Sequence, residues 1–204
     1  MITLQFLLTA FVVVLAPGTG VVYTLATGLG RGRRAALAAA LGCTFGIVPA
    51  LLAAALGLAA VLHASALLFT TIKIAGVAYL LWMAWGALRQ TGALAVRADR
   101  GTGSLFRVAW RGTLLNVLNP KLSIFFLALL PPFLSGAPER AALEMVALGG
   151  VFMAMTFVVF AVYGLFAGTF RNRVLGSARA MAWLNRSFAA IFAALAGRLA
   201  MERA

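Results

Sequence analysis

The sequence predicts an all-α polytopic membrane protein of about six transmembrane helices in two inverted three-helix halves, with helices one and four broken at Pro17-Gly18 and Asn119-Pro120. Three observations carry this reading. Hydrophobic residues make up 64% of the 204 positions and charged residues 10%, and the mean hydropathy of +1.04 lies far above that of soluble domains. The apolar residues fall into runs of about 20, the length that crosses a bilayer. The basic residues gather in alternate connections between those runs.

Helix one is expected over about residues 3–28. Its first half resembles a secretory signal, but it lacks a basic leading region, and Val14-Leu15-Ala16 is followed by Pro17, which impedes cleavage. It therefore reads as a retained helix. Helix two follows over about 35–62 without charge, and helix three over about 66–88 with Lys73 inside it. Helix four covers about 105–134 with Lys121 inside it, and helix five about 145–170. Helix six, about 180–199, carries Arg186 near its start, where a long side chain can snorkel to the interface. The chain is read as a single transmembrane domain over residues 1–204, half one about 1–95 and half two about 105–204.

The net charge of +13 would suggest nucleic acid in a soluble protein. Here the basic residues lie between apolar runs and read as topology determinants, so no nucleic-acid partner is expected. Arg31, Arg33 and Arg34 mark the first connection. Arg89, Arg97, Arg100, Arg107 and Arg111 mark the third, and Arg171, Arg173 and Arg179 the fifth. All three should face the cytoplasm, which puts both termini outside. The second connection carries His63, read as an interfacial loop residue because no second His or Cys accompanies it. Trp82 and Trp85, with Arg89 close by, read as an interfacial anchor. The lone Cys43 has no disulfide partner and reads as a packing residue. Gly42-xxx-Gly46 and Gly164-xxx-Gly168 offer small-residue contact faces.

Both breaks follow from proline chemistry. Proline donates no backbone hydrogen bond and clashes with the carbonyl one turn earlier, freeing polar groups where there is no water. Pro17 and Pro120 lie about half the chain apart, each in the leading helix of its half. That is where inverted-repeat transporters build midplane solute sites, with half-helix N-termini turned to anionic groups. The other reading is a simple kink repaired by neighbouring helices. Lys121, an ionisable group amid an apolar span, is the first candidate, together with Asn116 and Asn119. The two amides, the ammonium and the released backbone can converge on a carboxylate, or Lys121 can bond carbonyls freed by Pro120. Lys73 and Tyr79 on helix three are further candidates, for lining the same space or for snorkelling and packing.

Three motifs carry a family resemblance. The first is Pro17-Gly18 followed by Gly32-Arg33-Arg34, Gly42 and Gly46. The second is Lys73, Gly76, Tyr79-Leu80 and Gly86. The third is Gly112, Asn116, Asn119-Pro120-Lys121, Phe125-Phe126, Pro131 and Phe133. Together they resemble the lysine exporter superfamily (LysE/RhtB), in particular its homoserine and threonine efflux branch. The resemblance implies a secondary-active exporter of amino acids or related small metabolites in the bacterial cytoplasmic (inner) membrane, driven by the proton gradient. The substrate-binding or gating residues it points to are Pro17, Gly18, Lys73, Tyr79, Asn116, Asn119, Pro120 and Lys121. Two departures stand out: Pro17-Gly18-Thr19-Gly20 replaces the family's Pro-Gly-Pro, and Pro131-Pro132-Phe133 its Pro-Gln-Phe.

The four acidic residues, Asp99, Glu139, Glu144 and Glu202, map to connections, helix ends or the tail, so no membrane carboxylate is available as a proton relay. Coupling through Lys121, through the substrate, or no coupling all stay open. With no His-carboxylate cluster, no paired thiols and no nucleophile beside a base, neither an enzyme, a cofactor nor a metal site is expected. The expected partners are an amino-acid-like solute and the lipid bilayer, and self-association into a homo-oligomer stays open. The competing class is a non-transporting assembly or electron-relay subunit, which the single cysteine disfavours.

Overall fold

The computed structural model describes residues 2–64, 66–89, 96–170 and 177–201, and the regular structure among them is helical, without strands. The first apolar run is two helices, α1 (Leu4–Leu15) and α2 (Thr19–Arg31), bent by 57° at Pro17-Gly18. Thr3 starts α1 by accepting a hydrogen bond from the Phe6 N–H at 3.1 Å. Pro17 ends it, because the Val13 carbonyl needs an N–H that proline lacks.

The second run holds a break absent from the sequence reading. Helix α3 (Arg33–Phe45) passes into α4 (Val48–Ala64) through a tight turn at Gly46. There the Ile47 N–H donates to Thr44 at 3.1 Å, leaving the Cys43 carbonyl outside the helical ladder. Helix α5 (Ala66–Arg89) follows as expected. It exposes Trp82 and Trp85 and lays the Arg89 guanidinium 3.9 Å over the Trp85 ring. The fourth run is the most interrupted. Helix α6 (Leu105–Val117) stops before Asn119, and α7 (Pro120–Ile124) runs into a π turn, Phe125–Leu129. A 3-10 turn, Pro131–Phe133, closes it, since two consecutive prolines cannot continue the ladder.

Helix α8 (Pro138–Leu165), the short α9 (Ala167–Phe170) and α10 (Ala178–Met201) complete the described chain. Helix α8 begins seven residues before the expected start, and this corrects the placement of Glu144 at a connection or helix end. Pro138 occupies a first-turn position with Glu139 beside it, a polar start that a search for apolar runs passes over. Glu144 is therefore inside the helix and buried, its carboxylate accepting from the Ser135 N–H at 2.8 Å and the Ser135 hydroxyl at 2.7 Å. Arg171, Arg173, Glu202 and Arg203, and the His63 side chain, lie outside the described residues.

Among the described residues three stretches, Arg33–Gly57, Glu139–Leu165 and Ala178–Met201, are long and apolar enough to cross a membrane, and the bent α1–α2 pair makes a fourth when taken as one span. Helix α3 packs on α6 and α8, and α5 on α10. Small residues let backbones meet: a Cβ on Gly42 would lie 1.9 Å from the Ala109 carbonyl oxygen, and one on Gly28 2.4 Å from that of Gly164. Gly164 packs on Ala36 and Thr24, whereas Gly168 faces open space, so the second small-residue face rests on Gly164 alone.

Two ends of the molecule are defined by contacts. At one, the Phe6 ring meets Phe133 edge-on at 5.5 Å and the Arg198 guanidinium lies 5.3 Å over Phe133. At the other, the Asp99 N–H donates to Ala26 at 2.9 Å and Arg31 donates to the Gly103 carbonyl.

Candidate functional site

The two proline breaks meet. An α-helix leaves its last four carbonyls without partners and carries a partial negative charge at that end. At the end of α1, three of those four carbonyls are taken by side chains from distant parts of the sequence. The Lys121 ammonium donates to Val13 at 2.9 Å and to Ala16 at 3.4 Å. The Tyr163 hydroxyl of α8 donates to Leu15 at 3.0 Å. Val13 is the residue whose carbonyl Pro17 leaves unpaired, so the lysine of the second break repairs the first. The alternative in which Lys121 bonds carbonyls freed by Pro120 is replaced by this cross-connection.

Asn116 does the same for the third break. Buried on α6, it donates its amide N–H to the Cys43 carbonyl at 2.6 Å, the group displaced by the turn at Gly46. Its carbonyl oxygen accepts from the Asn119 amide at 3.5 Å. Asn119 in turn caps α7, accepting from the Lys121 N–H at 3.1 Å. The first break has no such cap. Gly18 is the N-cap of α2 and offers no side chain, so the N–H groups of the first turn of α2 have no partner within their helix.

Between these elements lies a cavity of about 30 Å³, room for about two waters. Gly18, Asn116, Asn119 and Lys121 line one side, with Gly20 and Val21 from α2. Phe152, Thr156 and Phe160 of α8 line it as well. The sequence marks no site residue on α8, because a long apolar helix carries no sign distinguishing a lining face from a lipid face. Tyr79 borders a smaller adjoining cavity that also reaches Lys121. Lys73 lies half-buried further along α5 and lines neither cavity. Pro17 sits at the bend itself, and Pro120 opens α7 beside Asn119.

Among the described residues no group of three or more His, Cys, Asp or Glu side chains has a metal-binding arrangement. Cys43 is buried and forms no disulfide. The site thus gathers a cation, two amides and the N-terminal end of α2 against an apolar wall, an arrangement suited to holding a small zwitterion or anion.

The family model for the LysE type translocator matches residues 11–203. A homoserine/homoserine lactone efflux protein of Salmonella typhimurium is 30% identical over 198 residues, covering 97% of this chain and 95% of its own. An uncharacterized membrane protein of Vibrio cholerae is 30% identical over 201 residues, with 98% and 97% covered. A leucine efflux protein of Enterobacter sp. is 26% identical over 196 residues, with 94% and 91% covered. No solved structure matches. Because the match runs through both broken helices and nearly the whole length, the chain belongs to the LysE type translocator family.

Proposed function

We propose that this protein is a secondary-active exporter that moves amino acids or related small metabolites out of the cytoplasm across the inner membrane. The observation that carries this reading is the bond from Lys121 of the second broken helix to the Val13 carbonyl at the end of the first, beside a polar-lined cavity. Efflux of homoserine and of leucine by similar proteins supports an amino-acid cargo.

In this reading the chain spans six times as two inverted three-helix halves, α1 to α5 and α6 to α10. The meeting of Phe6, Phe133 and Arg198 at one end supports an even number of crossings. The approach of the arginine-rich first and third connections at the other end supports a cytoplasmic placement there. The cargo carboxylate sits at the uncapped start of α2, within reach of Lys121. To hold it, the ammonium gives up part of its hold on α1, so cargo binding loosens the bend at Pro17-Gly18 and lets one half rock against the other. At about 30 Å³ the cavity is smaller than an amino acid, so in this reading it widens to admit cargo. Proton antiport enters through Lys121, the ionisable side chain of the cavity.

The test is efflux from cells loaded with a panel of labelled amino acids and amines. Cells expressing the protein are expected to release at least one amino acid faster than empty cells, and Lys121→Ala cells to match the empty ones. Equal release of every solute by expressing and empty cells would end this reading.

A further inference from the structure

The polar side of the cavity accounts for a carboxylate, and the opposite wall speaks to the rest of the cargo. Phe152, Thr156 and Phe160 recur every four residues and so share one face of α8. The Thr156 hydroxyl is turned back on its own helix, donating to the Phe152 carbonyl at 2.8 Å, so the wall presents no free hydroxyl proton. Phe152 is fixed in place, stacked on Phe125 at 4.4 Å and edge-on to Phe126 at 5.4 Å. That clamp uses the π turn, which brings both aromatic rings of the second broken helix onto α8. Gly20 packs directly against this wall. A Cβ there would lie 2.8 Å from the Phe160 ring and 3.1 Å from the Asn116 carbonyl oxygen.

We infer that this wall selects the cargo's side chain: the protein takes α-amino acids with apolar aliphatic side chains in preference to hydroxylated ones, and the Gly20–Phe160 pair limits their size. The inference rests on the exporter reading above and adds the substrate class. A cargo hydroxyl placed against the Phe152 and Phe160 rings exchanges water for aromatic surface and finds on this wall the Thr156 oxygen as its acceptor and no donor, whereas an isobutyl group gains contact along both rings. Hydrophobic pockets discriminate between such pairs by about 10- to 100-fold.

The test uses the purified full chain in liposomes loaded with equal amounts of labelled leucine, homoserine and threonine. Leucine is expected to leave about 10-fold faster than either hydroxylated amino acid. Phe160→Ala is expected to raise the release of phenylalanine relative to that of leucine, and Phe160→Leu serves should the alanine variant not fold. Homoserine leaving as fast as leucine, or a Phe160 variant scaling all cargoes equally, would overturn the inference and leave the exporter reading standing. Failure of every amino acid to leave faster than from protein-free liposomes would remove the exporter reading itself, and this inference with it.

Discussion

Lys121 and Val13, 108 positions apart, are joined by a 2.9 Å hydrogen bond from an ammonium to the carbonyl that Pro17 leaves unpaired. A cation at a helix C-terminus also meets the negative end of the helix dipole, so charge and hydrogen bonding act together. Lys121→Met removes both. It is expected to lower stability by about 1–3 kcal/mol, the cost of stranding a buried acceptor, and to reduce efflux to background. Lys121→Arg keeps the charge and should recover most of the stability while still impairing efflux, because a planar guanidinium cannot take the same place. Thermal unfolding in detergent, run beside transport, separates the two effects.

Asn116 ties α6 to the turn at Gly46 through the Cys43 carbonyl. Asn116→Leu leaves that carbonyl and the Asn119 amide without their partner and should cost about 1–3 kcal/mol. Asn116→Asp keeps an acceptor for Asn119 and loses the donor to Cys43. It should be destabilised too, which unfolding midpoints would register.

Close backbone packing makes two glycines behave differently. Gly42→Ala puts a methyl group 1.9 Å from the Ala109 oxygen and is expected to cost about 1–3 kcal/mol as α3 and α6 are forced apart. Gly57→Ala on α4 meets nothing within 4 Å. It should be neutral or stabilising by up to about 1 kcal/mol, since alanine is the better helix former. Paired melting curves would check the contrast.

Orientation has a direct chemical test, because Cys43 is fully buried and should contribute no background labelling. A cysteine at Arg97 is expected to resist an impermeant thiol reagent in intact cells and to react once the membrane is opened. A cysteine at Ser135, at the other end, should react from outside. The reverse pattern would invert the proposed topology.

What the sequence disclosed and what it hid follow from where the physical signals lie. The breaks at Pro17 and Pro120 were legible because a missing N–H is written in the residue type. Their meeting was not, because no local pattern says that the Lys121 side chain reaches back to α1. The break at Gly46 went unseen for a related reason: glycine permits a turn without requiring one, and the Ile47 to Thr44 bond depends on how α3 rests on α6. Tyr163, which caps Leu15, and the Phe152–Phe160 wall lie on an apolar helix whose hydropathy looks alike on every face. Glu144 was misplaced because α8 begins in a polar turn outside the apolar run.

The central claim is that cargo occupies the space where the two broken helices cross, and protection of a cysteine placed there tests it most directly. Val21 lines the cavity and is buried, so Val21→Cys in a Cys43→Ser background, first confirmed to export, can be reacted with a small membrane-permeant thiol reagent in proteoliposomes. Saturating transported amino acid should slow modification markedly, while an amino acid that is not transported should leave the rate unchanged. Modification at the same rate with and without a cargo that is being exported would contradict a solute site at this crossing.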